Sequence, residues 1–308
     1  MANVIINSIP DLLAFASGQY GYGSSSAYLS VELGADLDFA EYDEHYNFAG
    51  CKGGNWFCNF DGKEHTIDNI RYEGTDPWAF FCSNYFRGSI KNLNLTNVYV
   101  ATTREIGGLV YHTQNVGGNV LIQNCHISGQ LECLTSNNVY VSGLVHNIYG
   151  YAYIYDSSFS GYIEGATENV FGITCHSFEY TNGIRNYAFN CMVNSDVILP
   201  NAYFHPIAGL GCAAHNCEYK GVAKTKYLQP VVASNSIANH CILIIEAGSS
   251  SSTGEIRSNS PITLNKVFAD ADQLAAAGIT IPSGLAITEA TTAQLKSDSW
   301  LKSEGFAL

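Results

Sequence analysis

The middle of the chain repeats one short pattern of apolar and polar positions: an apolar residue, any residue, Asn or Asp, then two inward candidates at alternate positions. It reads Ile67-Asp68-Asn69, Ile90-Lys91-Asn92, Ile122-Gln123-Asn124, Ile154-Tyr155-Asp156, Ile184-Arg185-Asn186, Ala214-His215-Asn216 and Ile237-Ala238-Asn239. The third positions recur every 23 to 32 residues, the period of a chain that winds one solenoid coil per repeat. Strict alternation points Ile122 inward, and then Cys125 and Ile127, so one extra residue at Asn124 shifts the phase. A corner is expected there. Asn is the non-Gly residue that best tolerates a left-handed corner, and stacked Asn amides can bond from coil to coil. The expected ladder is therefore Asn69, Asn92, Asn124, Asp156, Asn186, Asn216 and Asn239.

A second phrase follows about fifteen to twenty residues later in Gly107-Gly108-Leu109-Val110, Ser142-Gly143-Leu144-Val145, Phe171-Gly172-Ile173-Thr174 and Ala208-Gly209-Leu210-Gly211. Small residues five places after three corners, Gly129, Gly161 and Gly221, allow a further bend. The pattern predicts an all-β fold, a right-handed parallel β-helix of about seven coils, on the order of 34 Å long at ~4.8 Å per strand. Residues 60–248 would form the helix. Residues 1–59 would supply a capping helix and first strands, the helix running from the N-cap Ser8 through Pro10 to Gly18. Residues 249–308 would form a loop and a helical cap or docking segment, with helices at Asp270 to Ala277 and Thr291 to Glu304.

Phe60-Asp61-Gly62-Lys63-Glu64-His65-Thr66-Ile67-Asp68-Asn69-Ile70 resembles the opening phrase of GLUG-motif β-helix proteins, and Ala35-Asp36-Leu37-Asp38-Phe39 is similar to their first strand. The resemblance covers roughly residues 9 to 245 and departs after Gly211, where the second phrase becomes irregular. It implies a pectin-lyase-like solenoid in a bacterial surface adhesin or phage virion protein. It carries over no catalytic residue set.

Only 13% of residues are charged, while Gly and Tyr number 29 and 20, a composition of short strands and tight corners. The net charge of −13 without any basic run argues against nucleic acid as a partner. The N-terminus Met1-Ala2-Asn3-Val4-Ile5-Ile6 has no basic region or long apolar core, and no stretch has the length to span a bilayer. The expectation is a protein made in a host cytoplasm and assembled into a virion, with a bacterial cell surface as the alternative. The ten cysteines match no zinc spacing, and Cys125 and Cys217 fall at the same inward position after a corner, so free buried thiols are expected. His112 and His176 fall at equivalent places two coils apart, roughly 10 Å, too far to share a metal. No cofactor or metal is expected, and Asn94-Leu95-Thr96 reads as an accidental glycosylation sequon.

An enzyme of this shape would need converging carboxylates. Asp36, Asp38, Glu41, Asp43 and Glu44 form the densest acidic group but lie where caps are expected, and Glu164 and Glu168 could face each other across a loop. The binding candidate is an outward row of Tyr149, Tyr151, Tyr153 and Tyr155, flanked in adjacent coils by Gln123 and Arg185. Rings in excess of what a core needs suit sugar faces or a protein contact. The expected function is a non-enzymatic virion structural or adhesion protein, a phage fibre, tailspike or decoration component. Its expected partners are host-surface polysaccharide, other virion proteins or copies of itself. The alternative is a polysaccharide-active lyase or glycoside hydrolase, or a bacterial cell-surface adhesin.

Overall fold

The computed structural model describes residues 3–113, 119–135, 139–165, 169–177, 186–209, 211–232, 235–251, 256 and 262–306. Inward residues of one face stack in parallel register through Val4, Val31, Phe60, Ile90, Ile122, Ile154, Ala188, Ala214, Ala238 and Leu264. All but Leu264 are buried. A second column, past the corner, runs through Leu37, Ile67, Leu95, Ile127, Phe159, Val193, Tyr219, Leu243 and Ala269. Each fully buried Ile, Val or Phe in such columns contributes roughly 1.5–3 kcal/mol. The fold is an all-β parallel solenoid of about eight turns. It exceeds the expected seven because the chain joins the first column at Asn3–Ile6 and still lies in it at Thr263–Asp270, beyond the expected limits of 60 and 248.

The corner residues all adopt φ near +50°: Asn92, Asn124, Asp156, Asn190, Asn216, His240 and Lys266. Three expected members of the ladder are corrected. Asn69 has positive φ, but Ile67 pairs with Leu95 and not with Ile90, so Asn69 sits at the following bend, bonded through its amide N–H to Thr96. The corner below Asn92 is built instead by Asp61-Gly62-Lys63-Glu64, with Lys63 and Glu64 left-handed and Asp61 accepting the Asn92 side-chain amide at 3.0 Å. Asn186 is a buried strand residue in register with Ala152 and Cys212, and Asn190 turns that corner. Asn239 pairs with His215 and Asn265 within the strand, and its neighbour His240 turns the corner.

The Gly-Leu phrase stacks Gly108, Gly143 and Gly172 so closely that a Cβ at Gly143 would stand 2.1 Å from the Gly172 carbonyl oxygen. Leu109, Leu144, Ile173 and Ile207 fill the core beside them. In the following coil Pro206-Ile207 occupies this place, and Ala208 pairs two residues further on, with Thr174. The expected phrase at Ala208-Gly209 is thus out of register, and Leu210 lies outside the described residues.

Helix α1 (Ile9–Ala16) starts at the Ser8 cap and closes the first coil with buried Ile9, Leu12 and Phe15, the Phe15 ring 4.7 Å from Trp56. It covers an end whose strand edge would otherwise be open. A short α2 (Phe39–Asp43) is capped by Asp38. At the other end α3 (Ala271–Ala277) runs from the Asp270 cap to a left-handed Gly278. The expected helix over Thr291 to Glu304 is divided into α4 (Thr292–Leu295) and α5 (Asp298–Ser303), because Ser297 caps a new start. Leu295, Leu301 and Phe306 cover Ile242 and Phe268 on the outer face of the last coils, forming a second small core.

Candidate functional site

The tyrosine row divides into two parts. Tyr151, Tyr153 and Tyr155 alternate outward along Tyr151–Tyr155, with Ala152 and Ile154 buried between them. Tyr149 precedes that strand in a bend and packs against Tyr85 and His112, with ring centroids 6.1 and 5.4 Å away, so it is not a member of a single strand row. Asn147 and His112 join side chains at 3.0 Å in the same patch, and desolvation holds the His112 pKa below its usual value.

Coil stacking determines what the row offers. Tyr153 lies on Tyr187 with centroids 5.2 Å apart and planes within 4°. Tyr155 lies on Phe189 at 5.0 Å, and Phe189 on His215 at 4.9 Å. The stack ends where Asn239 meets His215 Nδ1 at 3.2 Å. Ring faces inside this stack are covered by their neighbours, so ring edges and tyrosine hydroxyls meet the solvent. Tyr151, in register with Asn119, is 44% exposed. Gln123 is in register with Tyr155, as expected for a flanking residue. The position on the other side of Tyr155 is held by Phe189 and not by Arg185, which lies outside the described residues.

Asp36, Asp38 and Asp43 accept from backbone amides. Asp36 accepts from the Thr66 amide at 2.8 Å and meets His65 at 3.0 Å, which keep its carboxyl below the usual range. Asp38 caps α2 and takes the Asn69 amide, and Asp43 accepts from the His45 amide. Glu164 receives the Gln130 amide, and Glu168 lies outside the described residues. A cavity of about 240 Å³ lies between the last coils and α3 and α4. It holds Glu218, whose carboxyl burial raises in pKa and Lys220 partly offsets.

Nine described cysteines are free thiols, eight of them buried. Cys125, Cys191, Cys217 and Cys241 each follow a corner and donate to nearby carbonyls, as Cys217 does to Ala188 and His215 at 3.4 and 3.3 Å. Among the described residues no group of His, Cys, Asp or Glu has the arrangement of a metal site, and no helix is long and apolar enough to cross a membrane.

No family model and no curated protein matches the chain. Among solved structures it is similar to one described as IgA1 Protease, with a TM-score of 0.64 and 15% identity over 98% of this chain and 24% of the other. It is also similar to a candidate immunoglobulin A1 protease from Bacteroides ovatus, with a TM-score of 0.49 and 14% identity over 97% of this chain and 86% of the other. The chain thus spans about a quarter of the first protein's length. At this identity the likeness is one of fold: this chain is a parallel β-solenoid of the kind found within that protein.

Proposed function

We propose that this protein is a non-enzymatic recognition solenoid, displayed on a particle or cell surface, whose outward aromatic face contacts its target. The observation that carries this reading is the row Tyr151, Tyr153 and Tyr155 with its stacked partners Tyr187, Phe189 and His215. A solenoid needs only its inward residues for its core, and a continuous aromatic strip on the outside supplies contact area that folding does not require. The employment of Asp36, Asp38 and Asp43 as backbone partners favours recognition over catalysis. The activity named for the similar solved protein is not carried over, since the relationship is one of fold and covers a quarter of that protein.

Within this reading, the solenoid is either a virion subunit made in a host cytoplasm or a cell-surface adhesin. Immunodetection in purified particles, against washed cells, separates the two. For the surface itself, Tyr151→Ser should leave the melting temperature within about 1 °C and reduce retention on intact cells or particles several-fold. Unchanged retention contradicts the assignment of this face.

A further inference from the structure

The bend five residues past the corner produces a feature that the aromatic face does not use. Gly129 and Gly161 stand in register there with φ of +150° and +131°. A Cβ at Gly161 would lie 1.9 Å from the Gly129 carbonyl oxygen, so the coils stack without side chains at this point. The result is a shallow, wide-open groove along the solenoid axis, lined by residues of three coils.

One wall carries Tyr99, Gln130 and Tyr162, successive in register, and the other carries Ser128 and Ser160. The two tyrosines are two coils apart, about 10 Å, with Gln130 between them. Tyr99 is fixed: the Arg71 guanidinium lies 4.8 Å above its ring, and its hydroxyl meets Glu132 at 3.3 Å. Gln130 is oriented by donating its amide to Glu164, which leaves its carbonyl oxygen to accept. Tyr162 is 55% exposed, more than any other large hydrophobic side chain of the described residues, and stacks on no ring there. None of the residues lining the groove is charged, in a chain of net charge −13.

An open ring face, paired hydroxyls and an amide, with no charge to satisfy, match a particular chemistry. Sugar rings present an apolar face to an aromatic ring and hydroxyls to its polar neighbours, and a groove along the axis suits a chain of them. The charged groups around the groove are already partnered, Arg71 by Tyr99 and Glu73, Glu132 by Tyr99, Glu164 by Gln130, and Asp196, next in register after Tyr162, by the Val222 amide, so none is committed to fixing a charged ligand. We propose that this groove binds an uncharged oligosaccharide, with the Tyr162 ring against a sugar face and Ser128, Ser160 and Gln130 bonding its hydroxyls. The groove and the Tyr151 face lie on opposite sides of the Asp156 corner, so the inference does not depend on that face.

The test is binding of the full chain to an array of neutral and acidic oligosaccharides. The expected result is binding to neutral glycans, reduced tenfold or more by Tyr162→Ala, retained by Tyr162→Phe and unaffected by Tyr151→Ser, with all three variants melting like the parent. Binding to acidic glycans alone, or to none, overturns the proposal. Neutral binding that survives Tyr162→Ala and fails with Tyr151→Ser also overturns it, and assigns glycan recognition to the aromatic face.

Discussion

The side-chain amide of Asn190 donates to the carboxylate of Asp156 one coil earlier, at 3.0 Å, and Asn216 donates in the same way to Asn190 at 2.9 Å. All three residues hold φ near +50°, so one side chain both permits the corner and ties it to the next. Replacing Asn190 with Leu should therefore destabilise the solenoid by about 1–3 kcal/mol, through strained backbone and the carboxylate left without its donor. Asn190→Gly should recover the backbone part of the loss. Chemical denaturation of both variants checks this, and equal stability of Asn190→Leu and the parent would remove the corner from the account.

The glycine stack is a steric prediction. Gly143→Ala places a methyl 2.1 Å from the Gly172 carbonyl oxygen and 2.6 Å from the Phe159 Cβ. Neither neighbour can yield without shifting its strand. A loss of about 2–4 kcal/mol is expected, visible as a lowered melting temperature.

His205 gives the fold a pH dependence. Its ring stacks on Phe171 at 4.8 Å with Nδ1 buried, and desolvation takes its pKa from the usual 6.5 down to about 3. The unfolded chain binds this proton first as pH falls, so stability is complete above pH 6.5 and declines between about 6.5 and 3, by at most about 1.4 kcal/mol per pH unit. Burial lowers His112 and His215 as well, so His205→Phe should reduce the slope between pH 6.5 and 5 without abolishing it. An identical slope in the variant contradicts the assignment.

The thiols should be inert in the native state and free in the unfolded one. Burial raises Cys58 and Cys212 well above the ordinary thiol range and Cys125 to about 12, and the half-buried Cys82 to about 11. Little thiolate exists at neutral pH at these four to react, and Cys191, Cys217 and Cys241 are buried away from a reagent. Titration with a disulfide reagent should find almost no reactive thiol in native protein and close to ten after denaturation without reductant; a large shortfall in the second measurement would reveal disulfides.

Much of the fold was legible because the corner disrupts strand alternation in a way only a stacked coil repeats. Asn92, Asn124, Asp156 and Asn216 all stand at left-handed corners of the same column. Asn190 escaped notice because Ile184-Arg185-Asn186 imitated the phrase four residues too early. The dipeptides Asn124-Cys125, Asn190-Cys191 and Asn216-Cys217 held the better signal, since a buried thiol follows the left-handed corner in each. Outward alternation located Tyr151, Tyr153 and Tyr155. It gave no indication that Tyr187, Phe189 and His215 would cover their ring faces, because coil-to-coil register depends on loop lengths that no local pattern encodes. The groove went unread for the same reason: Tyr99, Gln130 and Tyr162 are far apart in sequence and adjacent only through register.

The central claim, that the outer aromatic face is the contact surface, is tested most directly by hydroxyl-radical footprinting of the full chain with and without intact cells or purified particles. The account predicts protection of Tyr151, Tyr153 and Tyr155 on binding, with the half-exposed Tyr42 near the first coils unchanged. Continued labelling of Tyr151 while protection appears elsewhere would contradict it.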